Sequence, residues 1–331
     1  MRDAHSPSPV IAPAVPGSSP VSGDRAAAAL PSLATIILTF NEEDNVGPAI
    51  ESVHRLAREI FVVDSFSTDR TVDVAERYRG VGVQVVQHEF ENYSAQWDWA
   101  LHNLPIRSEW ILKLDADERV TPEFEAEVTR VLAHAADDLG GVYFRRRLIF
   151  MGRPLRWGGM AGFDLRLWRR GRGRFDGRAV NEHVIVDGRS IRLSSCVEHH
   201  DTKSLSDWWD KHNRYSSFEA LNLIERSPSG AVRPSLFGNP EAQRMWIRER
   251  FFSHSLRFLA SAALFSYHFF ARLGFLDGTR GFQAAFLRAS FFYMIQLKVL
   301  EYRRTGKVPT VSWPVRGAPH PNLADPGRRE R

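Results

Sequence analysis

Between Leu33 and Glu118 the chain alternates short apolar runs with stretches of helical spacing. The runs are "LATIILTF" from Leu33, "EIFVVD" from Glu59, "VGVQVV" from Val81 and "EWILKLDADE" from Glu109. Helical patterns fill Asp44 to Leu56, Asp69 to Arg79 and Ser94 to Leu104. Apolar runs of four to eight residues separated by helices predict strands joined by right-handed crossovers, and so a parallel sheet with helices on its faces. The expected fold class is therefore α/β.

The polar residues fall where such a sheet binds ligands, beyond the carboxyl ends of its strands. "TFNEE" (Thr39 to Glu43) follows the first run, "DSFSTD" (Asp64 to Asp69) the second, and "DADE" (Asp115 to Glu118) ends the fourth. A purely local reading of the second tip has Ser67 or Thr68 capping the next helix, with Asp69 in its first turn. That accounts for one tip singly. Three acidic tips facing one crevice repel one another unless a cation, or a ligand rich in hydrogen-bond donors, lies between them. No GxGxxG follows the first run and no GxxxxGK[ST] occurs, which disfavours a dinucleotide fold or a P-loop. A divalent metal held by "DAD" would meet phosphate charge instead, because hard cations take carboxylate and phosphate oxygens together.

The segments "TIILTFNEEDNV", "EIFVVDSFSTDRTVDVAERY" and "WILKLDADERV", in that order, resemble the successive signatures of family 2 glycosyltransferases of the GT-A fold. The chain is most similar to the bacterial branch that builds lipopolysaccharide cores and other surface polysaccharides. The likeness runs from about residue 34 to about residue 220 and includes "NEHV" and "WWDKHNRYSSFEA". It implies an inverting, metal-dependent transfer of a sugar from a nucleotide-sugar donor, UDP-hexose first, to a saccharide or lipid-linked saccharide. By the same resemblance Thr39, Asn41 and Glu42 flank the nucleotide, Asp64 contacts base or ribose, Asp115 holds the ribose or sugar side, and Asp117 binds Mg²⁺ or Mn²⁺ on the diphosphate. Glu182 in "GRAVNEHVIVDG" is the expected general base. The competing assignment for it is a structural pairing with a nearby arginine. In "VEHHDTKSL" the resemblance favours His199 over His200 beside the metal.

Two departures from the family pattern are visible: Asp98 in "QWDWAL", where asparagine is common, and the glycine-rich "MGRPLRWGGMAGFD". The aromatic spacing in "SLSDWWDKHNRYSSFEAL" predicts a helix that packs over the acceptor side through Trp208 and Trp209, with Lys211 and Arg214 either meeting phosphate or solvated.

Composition narrows the rest. The 331 residues, 43% hydrophobic, suffice for one large core with a smaller appended unit. A single cysteine, Cys196, excludes an internal disulfide framework and a cysteine zinc cluster, and fits a reducing compartment. Net charge is +5, yet thirteen arginines stand against four acids between Val142 and Arg192, a bias toward anions. No zinc-finger or RNA-recognition spacing accompanies it, so no nucleic acid is expected.

The expected organisation is a disordered Pro/Ala/Ser-rich leader over 1–31, a glycosyltransferase domain over 32–225, an amphipathic aromatic helical region over 240–305 and a basic flexible tail over 306–331. Past residue 250 the aromatic stretches are punctuated by arginine and give no eighteen uncharged apolar residues in a row. They suit the membrane interface, so the chain is expected in the cytoplasm, peripheral on the inner membrane. Two other functions compete. A sugar nucleotidyltransferase would want a glycine-rich phosphate loop near the start, and a noncatalytic membrane-surface scaffold would leave the acidic tips unexplained.

Overall fold

The computed structural model describes residues 32–160, 162–175, 183–200, 204–224 and 257–311. The expected leader, most of the tail and the expected base Glu182 lie outside those residues.

Strands β1 (Leu33–Thr39), β2 (Glu59–Asp64), β3 (Val83–Gln87) and β4 (Trp110–Asp115) form the parallel half of a nine-stranded sheet. Strands β1, β2 and β4 are almost wholly buried, which is why each reads as a continuous apolar run, whereas the edge strand β3 exposes Gln84 between buried Val83 and Val85. The connecting helices are α1 (Val46–Val53), α2 (Thr71–Glu76) and α3 (Tyr93–Asn103); α1 and α2 are shorter than their apolar spacing predicts, and α3 matches it within one residue at each end. The missing turns at the amino ends of α1 and α2 belong to the polar tips, whose side chains bond to each other in place of a helical turn.

The order β3-β2-β1-β4 places successive crossovers on one side of β1 and then on the other. Strand β1 thus lies at a topological switch point, and the three acidic tips come from adjacent strands. Beyond β4 the sheet is mixed. Strand β8 (Phe163–Arg169) runs antiparallel between β4 and β6 (Leu139–Phe150), and β11 (Arg189–His200) runs parallel to β6. Two reversals return β6 and β11 to the direction of β4, so His199 and His200 end on the same edge as Asp115. The two-residue β5 (Glu118–Arg119) pairs antiparallel with Glu198 and His199 and draws the two ends together.

Local chemistry sets α4 (Pro122–Ala133): Thr121 caps it by accepting from the Phe124 N–H at 3.2 Å, Pro122 starts it, and Glu123 and Glu125 favour its amino end. Phe124 and Val128, one turn apart, are buried against the sheet with Phe144. On the other face Trp97, Trp168 and Phe175 stack together, the last from the short hairpin of β9 (Gly173–Phe175) and β10 (Val184–Val186). Strand β7 (Arg153–Pro154) folds back on β6.

Helix α5 (Leu205–Ile224) buries only Ser216 to Leu221, its second half. This departs from the expectation that Trp208 and Trp209 pack. Trp208 stacks on His212 at 3.7 Å and is half-buried, and Trp209 is exposed. The C-terminal unit, α6 (Arg257–Ser266), a bend over 267–277 and α7 (Gly278–Thr305), supplies what the second half packs on. Ala220 meets Ile295 and Val299 there. Lys298 also donates to Asn213 O, Asn213 Oδ1, Ser216 Oγ and Ser217 Oγ at 2.6 to 2.8 Å. Burial pushes that lysine down to about 8. Among the described residues no single helix is long and apolar enough to cross a membrane; α6 with the bend and α7 meets the test only as a pair bent by 71°.

Candidate active site

The β1 and β2 tips are stitched to each other. Asp64 is fully buried, and its two oxygens accept from Thr39 Oγ1 at 3.0 Å, Gln87 Nε2 at 3.0 Å, Ser67 N–H at 2.9 Å and the Ser67 hydroxyl. A base or ribose contact to Asp64 would have to displace one of those four donors. Thr39 is likewise buried and serves as one of them.

Asn41 takes up the left-handed conformation (φ 54°), which asparagine tolerates. Its Oδ1 accepts from the Thr68 N–H at 2.8 Å, and its own N–H donates to Ser67 Oγ at 2.9 Å. Glu42 and Glu43 donate their N–H groups to Thr71 Oγ1 at 2.7 Å and Asp69 Oδ2 at 3.1 Å. The cap of α2 is therefore made by Asp69, which accepts from the Thr71 N–H at 2.9 Å; Ser67 and Thr68 face the β1 tip instead. Burial opposes charge on Asp69, but these donors outweigh it and hold its carboxyl below the usual range. Phe66, also left-handed at φ 57°, stands exposed in the same turn.

The β4 tip carries a network that sequence reading missed. Arg166 of β8, nearly buried, donates through both terminal nitrogens to Asp115 Oδ2 at 3.0 Å and to both oxygens of Glu118 at 3.1 Å. Arg146 of β6 joins Glu118 at 3.5 Å, Asp115 at 3.8 Å and Asp164 at 2.9 Å. The Asp115 N–H donates to Glu118 Oε2 at 3.0 Å, closing the turn. Burial alone would raise the Asp115 carboxyl, yet the Arg166, Lys113 and Arg146 charges hold it well below the usual range. Glu118, wholly buried with Asp115 and Asp117 beside it, is pushed up to about 7 against the pull of the two arginines.

The basic bias of residues 142–192 is in good part consumed by pairing. Arg146 and Arg166 serve this network, and Arg169, Arg174 and Arg189 pair with Glu109, Asp187 and Asp138.

Asp117 is different. Its Oδ1 is buried and no hydrogen-bond donor meets it; His199 Nδ1 lies 3.6 Å away. Successive residues of β11 face opposite sides, so His200 turns to Glu198 (Nε2 to Oε2 3.1 Å) while its N–H donates to Asp117 O at 2.7 Å. Burial first, with Arg146 and Lys211 against the pull of Asp117, lowers the His199 pKa and favours neutral imidazole. An unmet carboxylate oxygen beside a neutral imidazole fits a divalent cation. Among the described residues no group of three or more His, Cys, Asp or Glu side chains that could hold a metal ion gathers.

Lys211, from the first half of α5, completes the cationic side. Tyr215 first, then Asp117, Glu42 and Asp115, raise its pKa against burial. Of the two departures noted in sequence, Asp98 is exposed on α3 near His102 and stands away from the tips, where Gln96 reaches Ser65 Oγ at 3.3 Å. The glycine-rich connection is taken up below. A signal for Arg166 was present only in hindsight: an arginine inside the apolar strand "FDLRLWR" needs a buried acid.

An α/β sheet with a switch-point crevice and an acidic β4 tip defines a class of nucleotide-sugar enzyme fold, and the relatives name it. The model of glycosyl transferase family 2 matches residues 35–199. The lipopolysaccharide core biosynthesis glycosyltransferase LpsC of Rhizobium meliloti (strain 1021) is 31% identical over 206 residues, 58% of this chain and 72% of that protein. An uncharacterized glycosyltransferase of Rickettsia felis is 29% identical over 205 residues, 59% of this chain and 71% of that one. This chain belongs to glycosyl transferase family 2 and is a glycosyltransferase of the GT-A fold. A mannosyltransferase of Pyrobaculum calidifontis, solved with GDP-Man and Mn²⁺, overlaps at a TM-score of 0.45 with 16% identity, over 82% of this chain and 87% of that one. That overlap is too loose to place a ligand.

Proposed function

We propose that the chain transfers a hexose from a UDP-sugar, with inversion, to a saccharide or lipid-linked saccharide of a bacterial surface polysaccharide or lipopolysaccharide core. It would work on the cytoplasmic face of the inner membrane. The observation that carries the reading is the unmet Asp117 oxygen beside His199, just past the tip of β4.

Asp117 and His199 would hold Mg²⁺ or Mn²⁺, which when bound offsets the negative charge developing on the leaving diphosphate. Asp115, fixed through Oδ2 by Arg166, would orient the ribose or sugar, and Asn41 and Glu42 would flank the nucleotide. Lys211 would lend a second positive charge on the leaving-group side. A single displacement at the anomeric carbon needs no covalent nucleophile, only a base for the acceptor hydroxyl, and Glu182 is assigned that role.

Glu182→Gln is expected to keep nucleotide binding and lose turnover by about a hundredfold or more, the usual worth of a positioned base. Steady-state kinetics decide it: if turnover at saturation survives while donor affinity collapses, Glu182 binds and the base lies elsewhere. The whole reading is tested by screening nucleotide sugars with Mn²⁺ for a shift in melting temperature, since a ligand bound only by the folded state raises stability by mass action. A UDP-hexose should give the largest shift, and no shift with any nucleotide sugar would sink it.

A further inference from the structure

The glycine-rich connection after β6, described over residues 151–160, leaves the same sheet edge as the β4 tip and is fastened to the C-terminal helices. Asp277 accepts from the N–H groups of Arg156 at 3.1 and 3.2 Å and Trp157 at 2.8 Å. The Gly158 N–H donates to Arg272 O at 2.9 Å, and His268 Nδ1 lies 2.6 Å from Gly158 O. Glycine is required on both sides: Gly158 has φ +79°, and a Cβ on Gly274 would stand 2.6 Å from His268 O. Beneath this latch Ala284 closes over Phe150 and Leu155.

Outward, the bend presents Tyr267, Phe270, Leu273, Phe275 and Leu276 to solvent, Phe270 at 58% and Leu276 at 53% exposure. Met151 and Trp157, on the latched connection, are exposed as well at 56% and 44%. A grouping of apolar residues this dense marks an interaction surface and not ordinary scatter.

Charge selects the partner. Residues 257–288 contain four arginines and one acid, and that acid, Asp277, turns inward to the connection. An exposed apolar face in an arginine-rich segment, with the segment's one carboxylate withdrawn, complements an anionic bilayer. The 71° bend between two helices that meet the length and apolarity test only together suits a segment lying in the interface.

We infer that the 267–277 bend, with residues 151–157 latched to it, docks on an anionic lipid bilayer. This locates the surface by which the chain would reach the membrane face proposed above, and the contact itself does not rest on the glycosyltransferase reading.

The test uses the full chain with vesicles of phosphatidylglycerol and phosphatidylethanolamine, and phosphatidylcholine vesicles as control. The chain should sediment with the anionic vesicles, less so at high salt, and the triple variant Phe270→Ser/Phe275→Ser/Leu276→Ser should bind about tenfold more weakly or worse. These side chains are largely exposed, so the variant should stay folded with only a small drop in melting temperature from lost ring contacts to Phe265 and Phe269. Hydrogen exchange on vesicle addition should slow in 151–157 and in 267–277 together. Undiminished vesicle binding by the triple variant overturns the surface. A soluble dimer that the triple variant dissolves, with no vesicle binding, assigns the face to a second copy and overturns the bilayer. Slowing in 267–277 alone overturns the latch. Nucleotide-sugar stabilisation is measured on the same preparation, so failure of the enzyme reading shows separately.

Discussion

Asp117→Ala is expected to reduce sugar transfer by about a thousandfold, the equivalent of roughly 4 kcal/mol of transition-state charge stabilisation. The melting temperature should hold. Asp117 Oδ1 accepts no hydrogen bond, so its removal leaves no donor stranded, and the Asp117 carbonyl that receives the His200 N–H is untouched. Removing the carboxylate also relieves repulsion from Asp115 and Glu118 at the same tip. A second readout does not depend on turnover: Mn²⁺ should strengthen UDP binding by the parent chain and not by the variant. The companion His199→Ala should weaken the same Mn²⁺ effect, whereas His200→Ala, which faces Glu198, should leave it intact. Full activity of Asp117→Ala, or equal Mn²⁺ dependence of UDP binding in both chains, would remove the metal from the mechanism.

The contrast between His199 and His200 shows how far the chain could be read unaided. The acidic tips of β1, β2 and β4 were legible because buried parallel strands are uninterrupted apolar runs, and a polar cluster at the end of such a run has only the carboxyl edge to occupy. Choosing between adjacent histidines required knowing which face of β11 meets the sheet edge. That is set by its pairing with β5, two residues too short to leave a pattern.

Contacts between distant elements were equally invisible. Arg166 lies 51 residues from Asp115 and reaches it only because antiparallel β8 inserts beside β4. Asp277 caps a connection 121 residues earlier, and Lys298 anchors α5 across 85. Helix α5 shows the same limit: regular aromatic spacing at 208, 212 and 215 does mark a helix, but the residues it buries are Ser216 to Leu221, not Trp208 and Trp209. Local spacing reports which faces could be buried, and only the assembled neighbours decide which are.

Arg166→Met is expected to destabilise the protein by about 3–5 kcal/mol, the usual result of removing one partner from a buried ion pair. The geometry explains why the loss should be that large. Glu118 is wholly buried, both its oxygens depend on Arg166, and Asp115 Oδ2 takes both terminal nitrogens of the same guanidinium. Arg146 stands farther off, at 3.5 and 3.8 Å, and is already engaged with Asp164 at 2.9 Å, so it is a poor replacement. Lysine keeps the charge but cannot fork to two carboxylates, and Arg166→Lys should recover part of the stability and little of the turnover. Activity should fall through Asp115: released from the guanidinium, its carboxyl is free to rotate and, deprived of the neighbouring charge, to take up a proton. Donor affinity and turnover should therefore both suffer in whatever fraction of Arg166→Met remains folded. Chemical denaturation gives the stability change, and kinetics on the folded fraction give the rest. A loss below about 1 kcal/mol would mean that Glu118 and Asp115 are sustained without Arg166.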